Sequence, residues 1–164
     1  MIEVPLDDIA ATGALGRALA GALARGDVVA LAGPLGAGKT TLARGIIRAC
    51  AERAGTPPPG EVPSPTYTLV QVYDLTPVPV WHFDLYRIER PEDALELAVD
   101  EAFAAAISLI EWPDRLGPYL PAERLDVMLA LGAGDARRAT IVGQGARGRA
   151  LEQALAIGLG AGVG

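Results

Sequence analysis

Lysine is almost missing from this chain: Lys39 stands alone beside thirteen arginines among 164 residues. An Asn-Lys-x-Asp motif for reading guanine is thereby excluded, since no second lysine exists to build one, and a conventional GTPase is disfavoured with it. Cysteine is equally scarce. A single thiol, Cys50, rules out an intrachain disulfide framework and a cysteine metal cluster. Beside Ile46, Ile47 and Ala49 it reads as a structural thiol on a helix flank. No basic run is longer than Arg137-Arg138, and 20 acidic residues against 14 basic ones leave a net charge of -6. A nucleic-acid footprint is normally basic, so the chain alone is expected to bind neither DNA nor RNA tightly. The Ala/Leu/Gly stretch from Ala10 to Ala24 is broken by Arg17 and falls short of a membrane span. Met1-Ile2-Glu3-Val4-Pro5, followed by Asp7 and Asp8, lacks the basic and apolar regions of a targeting segment. A cytoplasmic location without a membrane partner is the expectation.

What the chain does contain is apolar material, 51% of it, enough for one substantial core and too little for two comfortable domains. The expected organisation is one domain over residues 1–157, with 158–164 as a flexible tail. Leu15, Ala18, Leu19, Ala22 and Leu23 recur at helical spacing, predicting a helix over Thr12 to Arg25 with Thr12 as its N-cap. Val28 to Ala32 is a short apolar run suited to a buried strand. A helix follows the glycine-rich turn after it, up to Ala54. Five prolines between Pro57 and Pro65 make the next segment an irregular loop. Two extended runs, Tyr67 to Tyr73 and Val78 to Phe83, lie too close together for a parallel crossover and predict an antiparallel hairpin. Pro91-Glu92-Asp93 opens a helical stretch, continued or restarted near Asp100 to Ala104, Ala106 to Ile110 is another buried strand, and Pro113 to Leu120 is a short helix or turn. Leu125 to Leu131 and Ala139 to Val142 form a second hairpin, followed by a last helix over Arg147 to Ala156.

Gly33-Pro34-Leu35-Gly36-Ala37-Gly38-Lys39-Thr40 satisfies every fixed position of the phosphate-binding loop G-x-x-x-x-G-K-[ST]. The glycines let successive backbone amides face a triphosphate, and the helix that follows presents its positive end. Lys39 supplies a mobile ammonium for the β and γ phosphates, and Thr40 a hydroxyl for Mg²⁺. A background that otherwise uses arginine for every positive charge makes an exception here, where a guanidinium is no substitute. The loop sits between a candidate strand and a candidate helix, as the motif requires. With the alternation of helices and strands it predicts an α/β fold, a P-loop NTPase-like three-layer sandwich whose central sheet is mixed because of its antiparallel hairpins.

A magnesium–nucleotide site usually has an acidic residue at the end of a neighbouring strand. Glu111 follows Ile107-Ser108-Leu109-Ile110, and Asp84 follows Val80-Trp81-His82-Phe83. Glu111, with enough chain before it for a parallel strand, is the better candidate to orient the metal or its waters, and Asp84 could join it or polarise the attacking water. His82 is expected to be a half-buried hairpin residue. Arg147 and Arg149 are expected to be exposed solubilising charges.

Four segments in order, the loop Gly33 to Leu42, Ser64-Pro65-Thr66-Tyr67-Thr68-Leu69-Val70, His82-Phe83-Asp84-Leu85-Tyr86-Arg87 and Ile110-Glu111-Trp112-Pro113, resemble the motifs of the bacterial TsaE family, ATPases of tRNA threonylcarbamoyladenosine biosynthesis. The resemblance spans roughly Thr12 to Leu120. It implies that Gly33, Leu35, Gly36, Ala37, Gly38, Lys39, Thr40 and Thr41 hold ATP and Mg²⁺, and that Thr66 is a switch residue near the γ-phosphate. Asp84 and Glu111 would complete the metal and water site with Thr40, and Trp112 would lie beside the nucleotide. It also implies an ATPase that is weak alone and works with TsaB and TsaD, which carry the threonylcarbamoyl transfer to adenosine 37, with tRNA contacted only weakly or through the complex. Pro34 departs from the family pattern, in which an aspartate is usual. Two other jobs fit the same loop: a small-molecule kinase with Arg87 and Arg90 clamping the transferred phosphate, or a nucleotide-regulated binding module whose turnover is incidental.

Overall fold

A computed structural model describes residues 1–160 as a seven-stranded sheet flanked by helices on both faces. The strands are β1 (Ile2–Leu6), β2 (Val28–Ala32), β3 (Val70–Tyr73), β4 (Val80–Asp84), β5 (Ile107–Glu111), β6 (Arg124–Leu131) and β7 (Arg137–Gln144). The α-helices are α1 (Ile9–Ala22), α2 (Lys39–Ala54), α3 (Val99–Ala105) and α4 (Gly145–Gly158), with 3-10 helices at Pro91–Leu97 and Pro113–Tyr119. The sheet order is β1-β7-β6-β2-β5-β4-β3. Strand β2 sits at its centre, parallel to β5 and β6, and β4 is parallel to β5. The expected hairpins, β3 with β4 and β6 with β7, are antiparallel. The sheet is therefore mixed, as the short connections require.

Central strands must be apolar on both faces, and β2 and β5 are buried along almost their whole length. On one face α1, α2 and α4 cover Leu31, Leu109, Val127 and Ile141. On the other, α3 and the 3-10 segments cover Val28, Phe83 and Ile110. Helices α1 and α2 cross at a pair of glycines. A methyl group on Gly16 would stand 2.9 Å from the carbonyl carbon of Gly45, so the helix that carries the phosphate loop seats closely against α1.

Several boundaries differ from the sequence-based expectation. Helix α1 starts before Thr12 because Asp8 is its N-cap, accepting the amide of Ala11 at 2.8 Å. It ends before Arg25, where the carboxylate of Asp27 takes the amide of Ala24 at 2.7 Å. Strand β3 begins at Val70 rather than Tyr67, because the amide of Leu69 turns back to the carbonyl of Pro65 at 2.7 Å and Leu69 adopts φ 68°. The helical stretch after Pro91 takes the restarted of its two expected courses, since Ala98, with φ 58°, separates a 3-10 turn from α3. Strand β1 had no counterpart in the sequence reading; it pairs with β7, at the far end of the chain, with Pro5 tolerated on an edge strand. Arg147 is not simply a solubilising charge, since its guanidinium grips Asp27 through two bonds of 2.8 and 2.6 Å and ties α4 to the start of β2. The tail was expected from 158 onward, but α4 includes Gly158, and Leu159 packs on the core. Residues 161–164 lie outside the described residues.

Candidate functional site

The phosphate loop rises from the end of β2 and runs into α2. Its first glycine is fixed by space: at Gly33 (φ 145°) a Cβ would stand 2.4 Å from the carbonyl oxygen of Leu129 in β6. Gly38 is the N-cap of α2 with φ 101°, a left-handed conformation that glycine adopts without steric penalty. Lys39, 5% exposed, folds back over the loop and donates from Nζ to the carbonyls of Gly33 at 2.7 Å and Pro34 at 2.9 Å. The same ammonium lies 4.4 Å above the centre of the Trp112 ring. Burial lowers its pKa below 10.5, opposed by the negative charges of Glu111 and Asp84.

Sheet register assembles the acidic side. Asp84 and Glu111 are register partners at the ends of parallel strands β4 and β5, and Leu31, just before the loop, pairs with Glu111 on its other side. Thr40 Oγ1 donates to the two Glu111 oxygens at 2.9 and 3.1 Å, joining the start of α2 to the end of β5. Asp84 accepts Thr66 Oγ1 at 3.2 Å on Oδ2 and the amide of Tyr86 at 3.1 Å on Oδ1. Ser64 Oγ lies 2.8 Å from Thr66 Oγ1, so the proline-rich loop is tied to the same carboxylate. Trp112 takes left-handed backbone (φ 58°), which turns the chain sharply after Glu111 and brings its ring 4.9 Å from that of Tyr86.

Two clefts flank the loop. The smaller, about 270 Å³, brings together Lys39, Thr40, Thr66, Asp84, Glu111 and Trp112, with Leu35, Gly36, Gly38 and Thr41 at its border. The larger, about 760 Å³, lies across the loop; Gly36, Ala37, Gly38 and Thr41 form one wall, Asp8, Ile9 and Thr12 another, and Leu129, Asp135 and Arg137 a third. Arg137 reaches the loop apex, donating from Nε to the carbonyl of Gly36 at 3.3 Å. Gly33 borders neither cleft and contributes its carbonyl to Lys39. Pro34, where the resemblance leads one to expect an acid, also contributes a carbonyl, accepting Lys39 Nζ and the amide of Ala37.

His82 is fully buried rather than half-buried, with Nε2 2.6 Å from Glu111 Oε2. A signal for it existed in the strand alternation Val80, His82, Asp84, which places the histidine on the same side of β4 as the carboxylate. The larger cleft had no sequence signal, because its walls come from three separate segments that only the fold brings together. Arg87 stacks over Tyr67, 5.0 Å from the ring centre, and Arg90 pairs with Asp93. Neither arginine borders the smaller cleft.

The oxygen side chains lining the smaller cleft are the hydroxyls of Thr40, Thr41, Ser64 and Thr66 and the carboxylates of Asp84 and Glu111, hard ligands suited to Mg²⁺. Among the described residues no group of three or more His, Cys, Asp and Glu side chains is placed to form a metal cage. No helix among those residues is long and apolar enough to cross a membrane.

Residues 6–139 match the family model described as threonylcarbamoyl adenosine biosynthesis protein TsaE. The chain is similar to tRNA threonylcarbamoyladenosine biosynthesis proteins TsaE from Nostoc sp. strain PCC 7120, at 36% identity over 86% of this chain and 85% of that one. It is similar also to the protein of that name from Bacillus subtilis strain 168, at 37% identity over 74% and 73%. In three dimensions it resembles the crystal structure of Bacillus subtilis YdiB, with a TM-score of 0.75 and 30% identity, covering 95% of this chain and 94% of that one.

Proposed function

The chain belongs to the TsaE family, whose part lies in tRNA threonylcarbamoyladenosine biosynthesis, and from that premise we propose that it binds ATP with Mg²⁺, hydrolyses it, and acts with TsaB and TsaD homologues in modifying adenosine 37. The observation that carries this reading is the Thr40–Glu111 bond. It places the hydroxyl that opens α2 against the carboxylate that ends the neighbouring parallel strand, with Asp84 in register beside it.

The two clefts divide the ligand between them. The smaller takes the β and γ phosphates, and the larger, of a size usual for small-molecule sites, takes the nucleoside. On binding, Lys39 exchanges the Gly33 and Pro34 carbonyls for phosphate oxygens, remaining over Trp112. Thr40 keeps its proton on Glu111 and turns its lone pairs toward the cleft. Mg²⁺, when bound, would be held by Thr40 and the Glu111–Asp84 pair and would neutralise charge on the phosphates. Asp84, fixed by the Tyr86 amide and the Thr66 hydroxyl, accepts a proton of the attacking water and aligns it for in-line displacement. Thr66 shares that carboxylate with the loop from Ser64 to Thr68, so loss of the γ-phosphate is felt by an exposed segment that a partner can read.

A phosphoryl-transfer kinase is less well supported, because Arg87 and Arg90 are engaged outside the cleft. The test is reconstitution with TsaB and TsaD homologues, tRNA, ATP and Mg²⁺. The Lys39→Ala variant is expected to form modified tRNA about 100-fold more slowly, and equal product with either protein would refute the proposed ATPase role.

A further inference from the structure

His82 is the one histidine of the chain and has no part in the proposal above. On β4 the side chains of Val80, His82 and Asp84 share the face covered by α2, and on β5 Ile107, Leu109 and Glu111 do the same. The register pairs Val80 with Ile107, His82 with Leu109 and Asp84 with Glu111. His82 thus stands one pleat beneath the acidic pair, opposite a leucine, at 0% exposure. From there the ring reaches diagonally to Glu111, with 2.6 Å between Nε2 and Oε2. A carboxylate only accepts hydrogen bonds, so Nε2 carries the proton. Nδ1 has no hydrogen-bond partner among the described residues. The contact with Glu111 is thus the ring's one hydrogen bond among the described residues.

We infer that His82 is a positioning residue: its Nε2–H engages Glu111 Oε2, one of the two oxygens that Thr40 also contacts, and leaves Oε1 for the metal side of the cleft. Two donors then hold one carboxylate, Thr40 from α2 and His82 from β4. The Oε2 oxygen is occupied from below, and the group cannot rotate toward the sheet interior. This is the arrangement in which an outer partner sets the direction of a metal-facing ligand. The inference rests on the proposed Mg²⁺–ATP site and adds the group that orients its carboxylate.

The experiment measures ATP binding by calorimetry as a function of Mg²⁺, repeated with Mn²⁺ as a second probe, on the full chain and three variants. His82→Leu removes the donor, His82→Gln returns an N–H near the Nε2 position, and His82→Asn returns one nearer Nδ1. The half-saturating metal concentration is expected to rise about 10-fold or more in His82→Leu and His82→Asn and to stay near wild type in His82→Gln. ATP affinity without divalent metal is expected to change little in any of them. If His82→Leu does not fold, the Gln and Asn variants decide between them. Equal metal dependence in those two, or in the leucine variant and wild type, overturns the positioning role while leaving the site reading intact. Wild-type binding that is indifferent to Mg²⁺ and Mn²⁺ overturns both.

Discussion

A buried ammonium inside an anion cradle is held in tension between its surroundings and its ligand. Burial lowers the Lys39 pKa below 10.5, while Glu111 and Asp84 pull it upward. Between the lowered value and 10.5 the unfolded chain holds a proton that the folded one has released, so stability contributed by this site rises with pH across that window. Triphosphate affinity runs the other way, because the ligand needs the ammonium. Thermal melts of wild type and Lys39→Met over the alkaline range are expected to show the rise in wild type alone, and ATP binding by wild type is expected to weaken over the same range. A wild-type curve parallel to that of the variant would remove burial of the charge as the cause. At this scale the sequence was partly legible. Lys39, Thr40 and Glu111 follow from a motif of fixed spacing and from an acid at a strand end. His82 follows only in part: the alternation along β4 puts it on the side of Asp84, but its partner lies 29 residues away on another strand. Cys50 was readable as structural, and burial pushes its thiol up to about 11.

Elements meet where side chains are smallest. The α1–α2 crossing depends on Gly16, and the helix carrying Lys39 and Thr40 is seated by it. Alanine in a helix is favoured over glycine by about 1 kcal/mol, yet a Cβ at 2.9 Å from backbone must displace one helix. Overpacking of this kind costs about 1–3 kcal/mol. Gly16→Ala is therefore expected to lower the unfolding free energy in urea and to weaken ATP binding, and a variant as stable as wild type would show that the helices can part freely. The elements themselves were largely visible in the sequence: β2, α2, β5 and both hairpins follow from local apolar runs, prolines and short connections. Strand β1 was not, because its pairing joins the first strand of the chain to the last and leaves no local trace. The α1 boundary shifted because Asp8, a better cap than Thr12 in its position, carries no mark that distinguishes it from the aspartate before it.

The whole molecule is acidic, with a net charge of -6, and its organised clefts are lined by the glycine-rich loop and carboxylates rather than by a basic groove. Filter binding at about 150 mM salt is therefore expected to retain no tRNA with ~10 μM of this chain alone, and to retain it once the partner proteins are added. Retention by the chain alone, falling steeply with salt, would contradict that division of labour. The fold places its machinery at the carboxyl ends of β2, β4 and β5, where parallel strands converge, and the two residues in left-handed backbone nearest that edge are Leu69 and Trp112. Each such conformation costs about 1–3 kcal/mol for a residue with a side chain, and glycine would relieve both. Glycine would also forfeit the packing of both side chains against the core, so strain and packing oppose each other at these two positions. Leu69 and Trp112 are thus bends kept by what their side chains touch rather than by what their backbones prefer, two springs set at the rim of the cleft.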